Sequence, residues 1–427
     1  MWGKIKSTWI VAIVLIAALT ACSSNSNSTS GNSGNSGGSN ASGSSEASGG
    51  GKIKISWWDT MTSDASVAAL NKIIEDYESE HPDVDIERTF ISNSDIKKKL
   101  LLGSVGDDGP DIVWIDNPDH QAYAAAGILA DLTEEIEEWG QGDRYFEGPW
   151  SSTIYEGRNY GVPIGSNNLA LYYNTEMLAE AGIEPPTTWD ELKEAAKALT
   201  KGDVYGFAVS AVKSEEGTFQ FLPFLYQAGS DITNFDSEGT LDALNLYKYM
   251  IDNKYMSGEV ITLKQADVAT QFAAGKVAMM VNGTWQIPFL LTNATVNWDV
   301  VQLPVYKQAG TVLGGENWAI TKNSKHKDIA WDIIKFANEP ERLKSTLMTN
   351  GRMPARSDLI GDPFWQEDPQ MKVFADSMAF AKARAYGPNY PTISEAVQTM
   401  LQEVITGAKK PEDAMKAAAA VIQEELK

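Results

Sequence analysis

Three acidic positions, each joined to an aromatic or amide neighbour, are the first candidates for chemistry: Asp59 after Trp58, Asp116 before Asn117, and Glu316 before Asn317. Two such carboxylates held roughly 5–10 Å apart could hydrolyse a glycosidic bond, one as acid and the other as base or nucleophile. No hydrolase motif accompanies them. Metal and nucleophile chemistry have even less to draw on. The histidines His81, His120 and His326 lie far apart on segments that read as surface, so neither a His-based metal site nor a Ser-His-Asp triad is indicated. A single cysteine, Cys22, leaves no disulfide to form within the chain. The sequence therefore reads as a non-enzyme with no metal and no cofactor.

Cys22 has another use. It follows Leu19-Thr20-Ala21 at the end of an apolar stretch that begins at Trp9, and Lys4 and Lys6 precede that stretch. A basic head, a short apolar core and small residues before a cut make a secretory signal, and the core is shorter than the ~20 residues a membrane span needs. The site resembles the bacterial lipoprotein box, which makes 1–21 a signal peptide and Cys22 a lipidated N-terminus. Residues 22–51 then form a tether of Ser, Asn, Gly, Thr and Ala with one acid, Glu46. Such a composition cannot offset its ordering entropy and stays a coil, spanning roughly 30 Å. The expected location is extracytoplasmic, lipid-anchored to the outer face of the cell membrane.

The body from 52 to 427 is long for one domain, and two are expected. The formal charge of the 427-residue chain is −22, and losing Lys4 and Lys6 with the signal makes it two units more negative. Nucleic acid and anionic lipid are poor partners for such a surface.

Strand and helix patterns alternate after the tether. Residues 52–57 read as a strand with Ile53, Ile55 and Trp57 on one face, and a helix capped near Ser63 follows. Residues 84–90 and 111–115 read as further strands, with a helix from 94 to 102 between them. This order argues a parallel sheet, whose ligands bind beyond the carboxyl ends of its strands. That picks out Trp58, Asp59, Asp116 and Asn117. Further on, 169–173 reads as a strand, Thr188–Glu191 as a capping box, and 277–281, 300–304 and 318–321 as strands. From 327 onward the pattern is nearly all helical.

Five stretches carry a resemblance: GPDIVWIDNPDHQAYAAAGILADLTE (109–134), YGVPIGSNNLALYYNTEMLAEAGIEPPTTWDELKEAAKAL (160–199), FAAGKVAMMVNGTW (272–285), LGGENWAITKNSKHKDIAWDIIKF (313–336) and GPNYPTISEAVQ (387–398). Together and in this order they resemble the extracellular solute-binding lipoproteins of sugar ABC transporters, the family of maltose- and oligosaccharide-binding proteins. The resemblance implies an α/β fold of two lobes, periplasmic-binding-protein-like, with hinge crossovers near 166–172, 293–298 and 321–326. One lobe would be 52–166 plus 296–323, and the other 167–295 plus 324–427. It also implies a monomer that captures a sugar, expected to be an oligosaccharide, and delivers it to the transmembrane subunits of an ABC permease.

A sugar presents C–H patches and hydroxyls, so its cleft pairs aromatic faces with planar hydrogen-bonding groups. Trp285, in Gly283-Thr284-Trp285 after a strand, matches the family's stacking tryptophan. Trp58 and Asp59 line a cleft or pack beside a helix cap, and Asp116 and Asn117 bind ligand or cap the Pro118 turn. Asn167 and Asn168 stand at the first crossover, where maltose-type members use a carboxylate. Glu316 and Asn317 follow Gly314-Gly315, a pair that would let backbone approach a ligand, and rank above Trp318. Arg352 follows Asn350 in a helix-end loop, where it would fork onto hydroxyls or form a surface salt bridge. Tyr386 and Tyr390 bracket Gly387-Pro388 at the expected cleft rim. The alternatives are the same fold binding a peptide or polyamine, a sensor-kinase receptor, and a secreted glycoside hydrolase.

Overall fold

The computed structural model describes residues 51–103 and 109–427. The signal peptide, Cys22 and all of the tether except Gly51 lie outside the described residues.

Alternating apolar residues make β1 (Ile53–Asp59), in which Ile55 and Trp57 are fully buried. Ser63 caps the Asp64–Glu80 helix by accepting a hydrogen bond from the Ser66 amide. β2 (Val84–Phe90) and β3 (Ile112–Asp116) flank β1 in parallel. A small hairpin, β4 (Ile154–Tyr155) with β5 (Arg158–Asn159), precedes β6 (Val162–Asn167). β7 (Leu169–Asn174), β8 (Met279–Gly283) and β9 (Trp298–Val301) then form a separate antiparallel sheet in the order β8-β7-β9.

β10 (Thr311–Ile320) returns the chain to the first sheet, antiparallel to β3 and β6, and β11 (Met353–Pro354) adds to β6. β12 (Ala381–Ala383) pairs with the start of β10, completing seven strands. Residues Gly51–Lys427 form one compact unit. Beneath the large sheet, Trp318 contacts Trp57 and Trp114 edge-on, with ring centroids 4.8 and 4.9 Å apart. These three indoles lock β1, β3 and β10 together, and those strands carry Asp59, Asp116 and Glu316. No described helix is long and apolar enough to cross a membrane.

Four expectations need correction. β10 is a ten-residue strand, not a short one at 318–321, so Glu316 and Asn317 lie within it rather than in a preceding loop. β9 pairs with β7 in the small sheet, although 296–323 was expected in the first lobe. β11 pairs with β6, although 324–427 was expected in the second lobe. Helical periodicity tells which face of a helix is buried but not which sheet buries it. Finally, His120 is fully buried rather than on the surface, and burial lowers its imidazole pKa to about 3.

Candidate functional site

Strand register sets the central feature. Glu316 on β10 lies directly opposite Asp116 at the end of β3. Two like charges facing across a ladder are unfavourable, and each is met by an arginine from the last third of the chain. The Arg352 Nη1 lies 2.7 Å from the Glu316 Oε1. Arg384 donates to both Asp116 oxygens, at 3.0 and 3.3 Å, and to the Asn117 Oδ1 at 3.1 Å. Burial pushes the Glu316 carboxyl up, and the Arg352 guanidinium opposes the rise. Burial also works against the Arg384 charge, yet Asp116 and Glu215 hold that guanidinium well above the usual arginine range. Half-buried Asp119, in the first turn of the helix that begins at Asn117, is pushed up to about 7 by burial and by the Asp116 and Glu215 carboxylates.

Trp285 supplies an aromatic face from the turn after β8. A Cβ on Gly283 would stand 2.0 Å from its ring, so the glycine is what lets the indole fold back there. The Arg352 guanidinium lies 5.6 Å from the centre of this ring, and Phe219 lies 6.2 Å away. Trp285 remains partly exposed, whereas Glu316 and Arg352 are nearly buried. The Glu316 Oε2 and Arg352 Nε are buried without a hydrogen-bond partner, as are the amide atoms of Asn350. Such a set of unmet donors and acceptors beside an aromatic ring suits a ligand rich in hydroxyls. No group of His, Cys, Asp and Glu able to hold a metal is present among the described residues.

Trp285, Asp116, Asn117, Glu316 and Arg352 are thus linked by the contacts around Trp285 and the Asp116–Glu316 pair. Asp59 is buried at the end of β1, where it pairs with Arg88 at 2.7 Å and accepts from the Met61 amide at 2.8 Å. Its turn presents the Met61 sulfur to Arg352, 3.6 Å away. Trp58 packs on the opposite side of the sheet from Trp57, against the cluster containing Ile91 and Val113. Asn317 donates to the Ser152 hydroxyl at 2.9 Å, and Asn168 donates to the Phe374 carbonyl at 2.9 Å. Asn167 lies under Gly314, where a Cβ would come within 2.2 Å of its Oδ1, and a Cβ on Gly315 would meet the Gly165 carbonyl at 2.3 Å. Close packing therefore requires glycine at both positions. Tyr390 donates to Glu215 at 2.7 Å, and the Tyr386 hydroxyl meets that of Tyr226 at 2.9 Å. Arg384, Glu215, Phe219 and Met61 were not singled out by sequence. Arg384 stands between alanines, two residues after Lys382 and before the Gly387-Pro388 turn, a weak signal that alone would not mark it.

Two α/β layers with an aromatic and polar cluster between them define a solute-binding protein. The chain belongs to the family described as bacterial extracellular solute-binding proteins, whose model matches residues 72–373. It is an extracytoplasmic binding protein and not an enzyme. It is 26% identical over 390 residues to the maltotriose-binding protein of Pyrococcus abyssi, an alignment covering 84% of this chain and 79% of that one. Among solved structures it resembles an ABC transporter solute-binding protein of Thermotoga lettingae bound with α-D-tagatose, with TM-score 0.82, 27% identity and coverage of 88% and 100%. The GacH receptor of Streptomyces glaucescens, solved unliganded and with acarbose, gives TM-score 0.79, 26% identity and coverage of 88% and 98%.

Proposed function

We propose that this chain captures a carbohydrate, of oligosaccharide type, between two α/β lobes and delivers it to the permease of an ABC importer. The observation that carries this reading is the partly exposed Trp285 ring beside the Arg352–Glu316 pair. Such a face accepts the C–H side of a pyranose while flanking donors and acceptors take its hydroxyls. A hydrolytic role fits poorly, because Asp116 and Glu316 are each engaged by an arginine instead of being split into a free acid and a free base. Relatives that bind maltotriose and acarbose support the ligand class.

The pairings of β9 with β7 and of β11 with β6 support moving 298–301 into the second lobe and 353–354 into the first. Lipidation of Cys22 and the tether that follows would keep a monomeric receptor beside its permease, raising the local concentration without new contacts.

A thermal-shift screen of the chain against mono- and oligosaccharides tests the proposal. A ligand that binds only the folded state adds ~2.7 kcal/mol at a hundredfold excess over its Kd. The expected result is a shift with one carbohydrate class, the sugar recovered intact, and the shift abolished in Trp285→Ala. Shifts with a peptide or polyamine alone would overturn the carbohydrate assignment.

A further inference from the structure

We propose that Arg384 is a positioning residue that clasps the two lobes together before any ligand arrives. The inference rests on the two-lobe reading above, and it names the device that sets how much of the unliganded protein is closed.

The guanidinium is 2% exposed and is gripped from both sides. Asp116 and Asn117, at the end of β3 and the start of the following helix, hold it from the large sheet. From the small-sheet side comes Glu215, at the start of the Glu215–Gln227 helix, whose Oε1 accepts from Nη1. The Phe219 ring on that same helix lies 4.5 Å from the guanidinium carbon. Glu215 is itself fixed by hydroxyl hydrogen bonds from Tyr390 and Ser394, and Tyr390 belongs to the same hydrophobic cluster as Phe219. Arg384 therefore connects residues whose side chains are otherwise anchored in different layers. Arg352 differs, since its ion pair with Glu316 joins residues on the large-sheet side.

The charges explain why the clasp holds. Asp116 and Glu215 are two buried or part-buried carboxylates from opposite sides, and the one guanidinium between them cancels their repulsion while attracting both. Removing it turns an attraction between the lobes into a repulsion. Because ligand must touch both lobes, apparent affinity scales with the fraction of unliganded molecules already closed. Arg384 thus raises affinity through the equilibrium between open and closed forms. The same bidentate grip holds Asp116 and Asn117 in the orientation in which they face the site.

The test places spin labels at Glu75→Cys and Glu194→Cys in a Cys22→Ser chain. Both positions are exposed, one on the Asp64–Glu80 helix and the other on the Trp189–Leu199 helix. Electron–electron distance measurements without ligand should show one dominant short population. In Arg384→Gln and in Glu215→Gln a longer population should become the major one, and Arg384→Lys should restore the short one in part. The Kd for the carbohydrate found in the screen should rise by the factor by which the short population falls. Glu215→Gln keeps its neighbours' hydroxyl partners, so the test survives a failure of Arg384→Gln to fold. Unchanged distances in both variants would reduce Arg384 to a structural ion pair and overturn the proposal. If the distances shift but no carbohydrate binds the unmodified protein, the clasp stands and the carbohydrate assignment falls.

Discussion

The pairing of Asp116 with Glu316 across β3 and β10 gives the site its charge problem, and Arg384 and Arg352 solve it from far along the chain. Asp116 was picked out by its place just beyond a buried strand, which faces the ligand side in an α/β sheet, whereas Glu316 was read from a loop and lies within β10. The arginines were harder: Arg384 is 268 positions from Asp116, and no local pattern encodes a contact at that separation. His120 misled for a related reason. A lone polar residue early in a helix reads as exposed, yet the chain packs Gly161 against its ring, where a Cβ would come within 2.6 Å of the imidazole. Its imidazole stays neutral in the fold down to a pKa of about 3, against 6.5 ordinarily. As pH falls from about 6.5 toward 3, the unfolded chain takes up this proton first, so the folded state loses up to about 1.4 kcal/mol per pH unit from this group. Asp119 acts in the opposite sense between about 7 and 4, because its folded carboxyl binds a proton before the unfolded one does. Denaturation of the protein and of His120→Gln at several pH values should therefore diverge below pH 6.5, with the shallower acid loss in the variant. Parallel curves would show that His120 titrates normally.

Among the elements, those specified locally were readable. Thr188 accepts from the Glu191 amide at 3.2 Å and donates its own amide to the Glu191 carboxylate at 3.1 Å, the reciprocal cap expected from the sequence. Thr188→Ala should cost about 1 kcal/mol, seen as a lower urea midpoint with an unchanged slope. No change in the midpoint would mean the cap contributes nothing. β10 was only half legible. Its first residues, including Gly314 and Gly315, lack the alternation of apolar side chains that announces a strand, and they form one because β6 and β12 pair with them. β11 and β12, of two and three residues, are too short to carry any periodic signal.

For the whole molecule, composition and the alternation of strand and helix indicated an α/β protein of more than one layer, and the resemblance supplied two lobes. Which sheet takes a segment is fixed by tertiary pairing and not by local pattern: β9 joins β7, and β11 joins β6. Trp285 follows β8 of the small antiparallel sheet, Arg352 precedes β11 of the large mixed one, and Arg384 follows β12. A carbohydrate held there, with its pyranose face on Trp285, is the central claim. The most direct measurement is a crystal structure grown with the sugar that gives the largest thermal shift. The account predicts intact sugar between the sheets, one ring stacked on Trp285 and its hydroxyls bonded to Arg352 or Glu316. Sugar bound elsewhere on the surface, with none of its rings on Trp285, would contradict it.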